Sequence, residues 1–143
     1  MTKNINRKMQ NLLDGESSRP LAIATTSALP VYPLVYKIET AGGATANVDT
    51  VFAEKVMIID AYIVSNGTGT SSDTVQITNG TGSNHITNAM SNAGAAGTVV
   101  AASTLNATHR VVAAGSTVRV TETDGSGNDC PATSVYIIAI RVE

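Results

Sequence analysis

From residue 31 onward, short runs rich in Val, Ile and Thr alternate with clusters of Gly, Asn, Asp and Ser. The turn-forming clusters recur at intervals of roughly 8–12 residues, which is typical of β-sandwiches and β-barrels. No segment with a helical pattern separates these runs, and this argues against a parallel α/β sheet. The pattern therefore predicts an all-β sandwich or barrel of about eight strands.

The strands are located by their alternation and by the residues that break them. The clearest alternation places Val75 and Ile77 inward and Thr74, Gln76 and Thr78 outward. Residues 84–90 are ambiguous between a strand and a helical turn. The other expected strands cover residues 31–40, 47–53, 54–65, 72–80, 98–104 and 133–143, with a bulge as one way to join the second and third, and two more strands hinged at Ala114-Gly115 within 109–125.

The sequence Asn-Gly-Thr-Gly occurs twice, at 66–69 and at 79–82, each time after a β run. Asn and Gly tolerate the positive φ of tight turns, so the two copies are expected to lie at the two ends of one strand. The alternative is sugar attachment, because Asn66, Asn79 and Asn106 begin glycosylation sequons. No apolar secretory segment in residues 1–20 supports that alternative.

The expected strands at 56–64 and 135–142 look apolar on both faces, although a two-sheet sandwich covers only one face of each sheet. Either the N-terminal residues or neighbouring subunits must cover the second face. If neighbouring subunits cover it, the protein is an oligomer with Tyr62 and Tyr136 near subunit contacts. Asp60 interrupts one of these strands and is expected to have a partner or to face an interface. The expected faces of residues 56–64 are Met57, Ile59, Ala61 and Ile63 on one side, and Val56, Ile58, Tyr62 and Val64 on the other.

Residues 1–30 differ from the rest and are expected to form an extended arm, with residues 31–143 as the sandwich. Residues 1–19 carry four basic side chains against two acidic ones, whereas the whole chain has a net charge of -2. Residues 3–13 have helical spacing, but an isolated helix this short is marginal in water. Pro20, Pro30 and Pro33 keep the following chain extended. The side chains expected to bind a partner are Lys3, Ile5, Arg7, Lys8, Met9, Leu12, Leu13, Leu21 and Ile23.

Signals for chemistry are weak, so neither a catalytic residue nor a cofactor or metal site is predicted. Cys130 is the single cysteine, which excludes an internal disulfide and a cysteine-cluster metal site. His85 and His109 lie on separate segments. Residues 124–129 have partial calcium-loop spacing. However, Asp129 and Val135 stand where a calcium loop requires Gly and Glu, and this favours a polar turn. The charge pattern also argues against nucleic-acid binding, and no apolar run is long enough to span a membrane.

Residues 73–142 combine the strand "DTVQITNG", the segment "NHITNAMS", the hairpin "VVAAGSTVRVT" and a final hydrophobic strand. In this order they resemble a small β module of tailed-phage virion proteins. The resemblance implies a jelly-roll-like antiparallel sandwich, usually a homotrimer, with no catalytic residues. The preceding arm is similar to the clamp of a cement protein, which implies capsid decoration, the major capsid protein as partner, and location on the virion surface after synthesis in the host cytoplasm. The alternative is a fibre, spike or tail-associated module that binds a host surface or glycan.

Overall fold

The computed structural model describes residues 32–70, 72–125, 127 and 130–143. Within these residues every strand pairing is antiparallel and no helix occurs. The predicted arm, with its helix at 3–13, lies outside them. The strands are β1 (Leu34–Glu39), β2 (Ala46–Val51), β3 (Val56–Ser65), β4 (Thr74–Asn79), β5 (Met90–Ser91), β6 (Val99–Ala101), β7 (Val111–Val112), β8 (Thr117–Thr123) and β9 (Thr133–Arg141).

The described strands form two sheets, as expected for an all-β sandwich. One sheet has five strands in the order β1-β9-β3-β6, with β7 also paired to β3. The other has four strands in the order β2-β8-β4-β5. The predicted hinge at Ala114-Gly115 is confirmed, because β7 and β8 lie on either side of it in different sheets. The ambiguous segment 84–90 contributes isolated bridges and the start of the two-residue strand β5.

The core lies between the two sheets and consists almost entirely of aliphatic side chains. Phe52 is its one fully buried aromatic residue, and its ring stacks on that of Tyr36 with centroids 4.0 Å apart. Burial of these side chains is the main stabilising term, at about 25 cal/mol per Å² of apolar surface. The fully buried aliphatic residues of the central strands are Val56, Ile58, Ala61, Ile63, Val75, Ile77, Val118, Val120, Val135, Ile137 and Ala139.

A bulge within β3 reverses the expected assignment of its faces. Ile58 pairs with Ala139 of β9, but the next pair is Asp60 with Ile138, so Ile59 is an extra residue. The Asp60 carboxylate accepts a hydrogen bond from the Ala61 amide at 2.8 Å. The predicted grouping was therefore wrong. The buried positions are Val56 and Ile58 before the bulge but Ala61 and Ile63 after it, and Ile59 is exposed.

The two Asn-Gly pairs both follow strands, but their backbones differ. Gly80 follows β4 with φ +81°, as a tight turn requires. Gly67 is not among the glycines with positive φ, so that part of the prediction was wrong. β3 belongs to the five-stranded sheet and β4 to the four-stranded sheet, so the first pair begins a connection between the sheets and not a tight hairpin. Thr78, predicted to be exposed, is buried, and its hydroxyl donates to the Gly80 carbonyl at 3.1 Å.

Replacing Gly80 with valine is expected to lower the free energy of unfolding by about 1 kcal/mol or more, because a β-branched residue disfavours positive φ. A Cβ at Gly80 would meet no atom within 4 Å, so the cost comes from the backbone alone. Gly82→Val is the matched control, since Gly82 has equal space and no positive φ. Urea denaturation of both variants tests this, and equal midpoints would contradict it.

Candidate protein interface on the five-stranded sheet

The outer faces of the two sheets differ sharply in polarity. On the four-stranded sheet, outward side chains pair with one another across the strands. The Arg119 guanidinium binds the Asp49 carboxylate through two hydrogen bonds of 2.7 Å and holds the pKa of that carboxyl below its usual value. Beside them, the Thr121 hydroxyl donates to Asn47 Oδ1 at 2.8 Å. This face is suited to water.

The outer face of the five-stranded sheet is predominantly apolar. Its side chains alternate with core residues along β1, β3 and β9, and the strand register aligns them into rows. Exposed Asp60, which is paired with Ile138, interrupts the row of β3. Val35 and Val99 are each 61% exposed at opposite edges of the sheet. We call this surface the apolar face. It consists of Val35, Met57, Tyr62, Val64, Val99, Val111, Tyr136, Ile138 and Ile140.

Tyr62 and Tyr136 lie together at the centre of the apolar face. They are directly opposite each other on β3 and β9, and their rings stack with centroids 4.8 Å apart and an angle of 11° between planes. Both side chains are half-buried. Lys37 Nζ lies 5.8 Å from the centroid of the Tyr136 ring. Stacked tyrosines of this kind are rigid, have large contact area and occur often at protein interfaces.

Charged and polar groups border the apolar face. Lys37 forms an ion pair with Glu39, which lowers the pKa of the Glu39 carboxyl and raises that of the Lys37 amine. The Ser134 hydroxyl also donates to Glu39, at 2.8 Å. At the opposite end of the strands, Arg141 binds Glu54 through two hydrogen bonds. An apolar centre with a polar rim is the usual anatomy of a protein interface.

An open groove of about 300 Å³ lies beside the apolar face, at the edge of the sandwich where β1 and β2 approach. Val35 belongs both to this groove and to the apolar face, while Val51 is 64% exposed at the edge of the other sheet. The groove extends the exposed apolar surface around the edge of β1. Its lining residues are Leu34, Val35, Tyr36, Val51, Ala53, Glu54 and Arg141.

A buried polar network, which the sequence reading did not find, connects the two sheets at one end. Glu122 of β8 is fully buried, and one of its carboxylate oxygens accepts a hydrogen bond from the Thr40 hydroxyl. Thr40 Oγ1 in turn accepts from the Thr133 amide at 2.9 Å. Asn92, also fully buried, donates to Thr133 Oγ1 at 2.7 Å. The sequence held one signal for this network: Glu122 follows Val120 by two residues, and alternation along a strand places both side chains on the same, inward face.

Cys130 lies beside this network in a setting that suppresses thiol reactivity. It is buried, and Asn92 Nδ2 lies 3.4 Å from its sulfur. Burial raises the pKa of the Cys130 thiol above its ordinary value, and the carboxyl groups of Glu122, Asp73 and Asp124 add to that rise. A raised pKa disfavours the thiolate, which is the nucleophilic form.

The other residues considered for chemistry are not brought together. His85 is exposed, His109 is half-buried, and in the described part of the chain no three His, Cys, Asp or Glu side chains are grouped to hold a metal. Asp124 Oδ1 accepts a hydrogen bond from the Gly127 amide at 2.8 Å, as in a polar turn. His85 lines an open groove of about 260 Å³ with residues of 86–88 and 104–106.

Comparisons with protein-family models, with curated proteins and with solved structures found no match. Among the residues that the structure describes, no helix is long and apolar enough to cross a membrane.

Proposed function

We propose that this chain is a non-enzymatic structural protein of a phage virion, which decorates the head and stabilises it by binding the major capsid protein. The observation that carries the proposal is the contrast between the apolar face and the hydrogen-bonded outer face of the other sheet. Soluble monomers rarely expose a large apolar surface, whereas subunits of an assembly bury it.

The strand order supports a jelly-roll-like version of the sandwich. The chain alternates between sheets from β1 to β4, and both sheets combine early and late strands, as β1-β9-β3-β6 and β2-β8-β4-β5. Two interleaved four-stranded antiparallel sheets are the pattern of jelly rolls, a fold common in viral capsid and lectin domains. The short strand β7 is an addition to that pattern.

In this proposal the apolar face joins copies of the chain into a homotrimer. Tyr62 and Tyr136 supply a stacked aromatic centre for each contact, and Ile138 adjoins them on the same strand as Tyr136. The Lys37–Glu39 pair at the rim favours one orientation of the neighbouring subunit.

The proposed partner of residues 1–30 is the capsid. Lys3, Arg7 and Lys8 would steer these residues to an acidic surface, and apolar side chains such as Ile5 and Met9 would anchor them there. Attachment should therefore weaken as the salt concentration rises. The apolar face and the arm then have separate roles, self-assembly and capsid binding.

One experiment with three variants tests both roles. At micromolar concentration, sedimentation should give a trimer for the unmodified chain and a folded monomer for Ile138→Asp, which places a second carboxylate opposite Asp60 on the apolar face. Thr121→Asp, on the polar outer face, is the matched control and should remain a trimer. The chain lacking residues 1–30 should assemble but fail to bind or heat-stabilise phage heads that lack this protein.

Two results would overturn the proposal. A monomeric unmodified chain would remove the argument from the apolar face. Unchanged decoration by the shortened chain would remove the capsid-binding role of residues 1–30. Few copies located only at a vertex or tail, together with binding to host cells, would favour the fibre or spike alternative.

A further inference from the structure

We propose that Asn66 is a site of spontaneous deamidation in the folded protein, whereas Asn79, in an identical Asn-Gly-Thr-Gly sequence, is protected. In this reaction the main-chain nitrogen of the following glycine attacks the Asn side-chain carbon Cγ. The glycine nitrogen loses its proton and bonds to Cγ, the Cγ–Nδ2 bond breaks, and Nδ2 takes up a proton and leaves as ammonia, so that a cyclic succinimide results. Water then opens the ring at either carbonyl and gives aspartate or isoaspartate.

The structure leaves the reacting groups of Asn66 accessible. Asn66 is exposed at the end of β3, and no described residue accepts a hydrogen bond from the Gly67 amide. The Asn66 side-chain amide donates to Ser134 Oγ at 3.1 Å, and it also lowers the pKa of the nearby Glu39 carboxyl through a side-chain hydrogen bond. The nucleophilic nitrogen is therefore unengaged, and the partners of the leaving amide are side chains rather than main-chain carbonyls.

At Asn79 both reacting groups are engaged. The Gly80 amide donates to the Thr117 carbonyl at 2.7 Å. The Asn79 side-chain amide donates to two main-chain carbonyls, those of His109 at 3.0 Å and Val111 at 2.9 Å. Attack at this site requires these three hydrogen bonds to break first, so it proceeds only through local opening.

Deamidation of Asn66 would alter the border of the apolar face. Ser134 Oγ, which bonds the Asn66 side chain, also donates to the Glu39 carboxylate at 2.8 Å. The product would therefore place a second carboxylate beside that of Glu39, and like charges this close repel. Isoaspartate would in addition lengthen the main chain at residue 66, whose main-chain amide donates to the Ala132 carbonyl at 2.8 Å.

The test follows deamidation of the folded, full-length chain during incubation at mildly alkaline pH. No Lys or Arg lies between Lys55 and Arg110, so both sites fall on one tryptic peptide, 56–110, and fragment masses report them in the same sample. Asn66 is expected to deamidate at least about tenfold faster than Asn79, because the latter reacts only through local opening.

The control is the same chain in concentrated denaturant, where the two identical sequences should react at similar rates. Equal rates in the folded chain, or faster reaction at Asn79, would overturn the proposal. A rate difference that persists unchanged in denaturant would also overturn it, since the difference would then not come from the fold. Ser134→Ala removes the hydroxyl that binds the Asn66 side-chain amide and should leave Asn66 deamidation as fast or faster.

Discussion

Replacing Ile137 with alanine is expected to lower the free energy of unfolding by about 4 kcal/mol. Ile137 is fully buried at the centre of β9, which is hydrogen-bonded to strands on both sides, and its paired residues are Tyr36 of β1 and Ala61 of β3. The substitution removes apolar contacts and leaves a cavity that two flanking strands prevent from closing. Because domains of this size are stable by only about 5–15 kcal/mol, the loss is a large fraction of the total.

The neighbouring residue provides the control. Ile138 has the same side chain on the same strand but points to the apolar face, where it is half-buried. Urea denaturation at low protein concentration should give a much smaller loss for Ile138→Ala, within about 1 kcal/mol. Equal losses for the two variants would show that both faces of β9 are packed within one subunit, which would contradict the assignment of an outer face.

Replacing Thr40 with valine is expected to cost about 3 kcal/mol, although the two side chains have nearly the same shape. The Thr40 hydroxyl donates to the Glu122 carboxylate and accepts from the Thr133 amide. The second oxygen of Glu122 already has no hydrogen-bond partner among the described residues. Valine would leave the whole carboxyl and a main-chain amide unpaired in the interior, and burial without a partner is costly.

Thr121→Val is the matched control for this prediction. Its hydroxyl donates to Asn47 on the polar outer face, where water can take the place of the lost bond. The expected change is within about 0.5 kcal/mol. Thermal or urea unfolding of both variants measures the difference, and a neutral Thr40→Val would mean that the network linking the two sheets contributes little to stability.

The two predictions above concern the stability of a single subunit, whereas the functional proposals concern the association of subunits. A side chain on the apolar face contributes little to one subunit but stabilises an assembly, so its effect should grow with protein concentration. This dependence distinguishes Ile138 from Ile137 in the same denaturation experiment. It also separates a variant that fails to fold from one that fails to assemble.

Local sequence predicted those features that depend on neighbours along the chain. Alternation in 74–79 placed Val75 and Ile77 inward, and both are fully buried. The turn after β4 followed from Asn79-Gly80, because few residues other than glycine adopt its positive φ at low cost. The all-β class followed from the spacing of strands and turns. The two-sided apolar character of β3 and β9 was also visible, and it led to Tyr62 and Tyr136 as interface candidates.

Tertiary structure decided the features that depend on pairing between distant segments. The bulge at Ile59 exists because β3 must match β9 across it, so the expected faces of residues 56–64 were wrong. The Asn66-Gly67 and Asn79-Gly80 pairs have the same local sequence, yet the Gly80 amide donates to the Thr117 carbonyl of β8, whereas no described residue accepts a hydrogen bond from the Gly67 amide. The Thr40–Glu122 contact joins residues 82 positions apart. Sequence periodicity indicates which side chains are buried, whereas strand register determines which of the buried side chains contact one another.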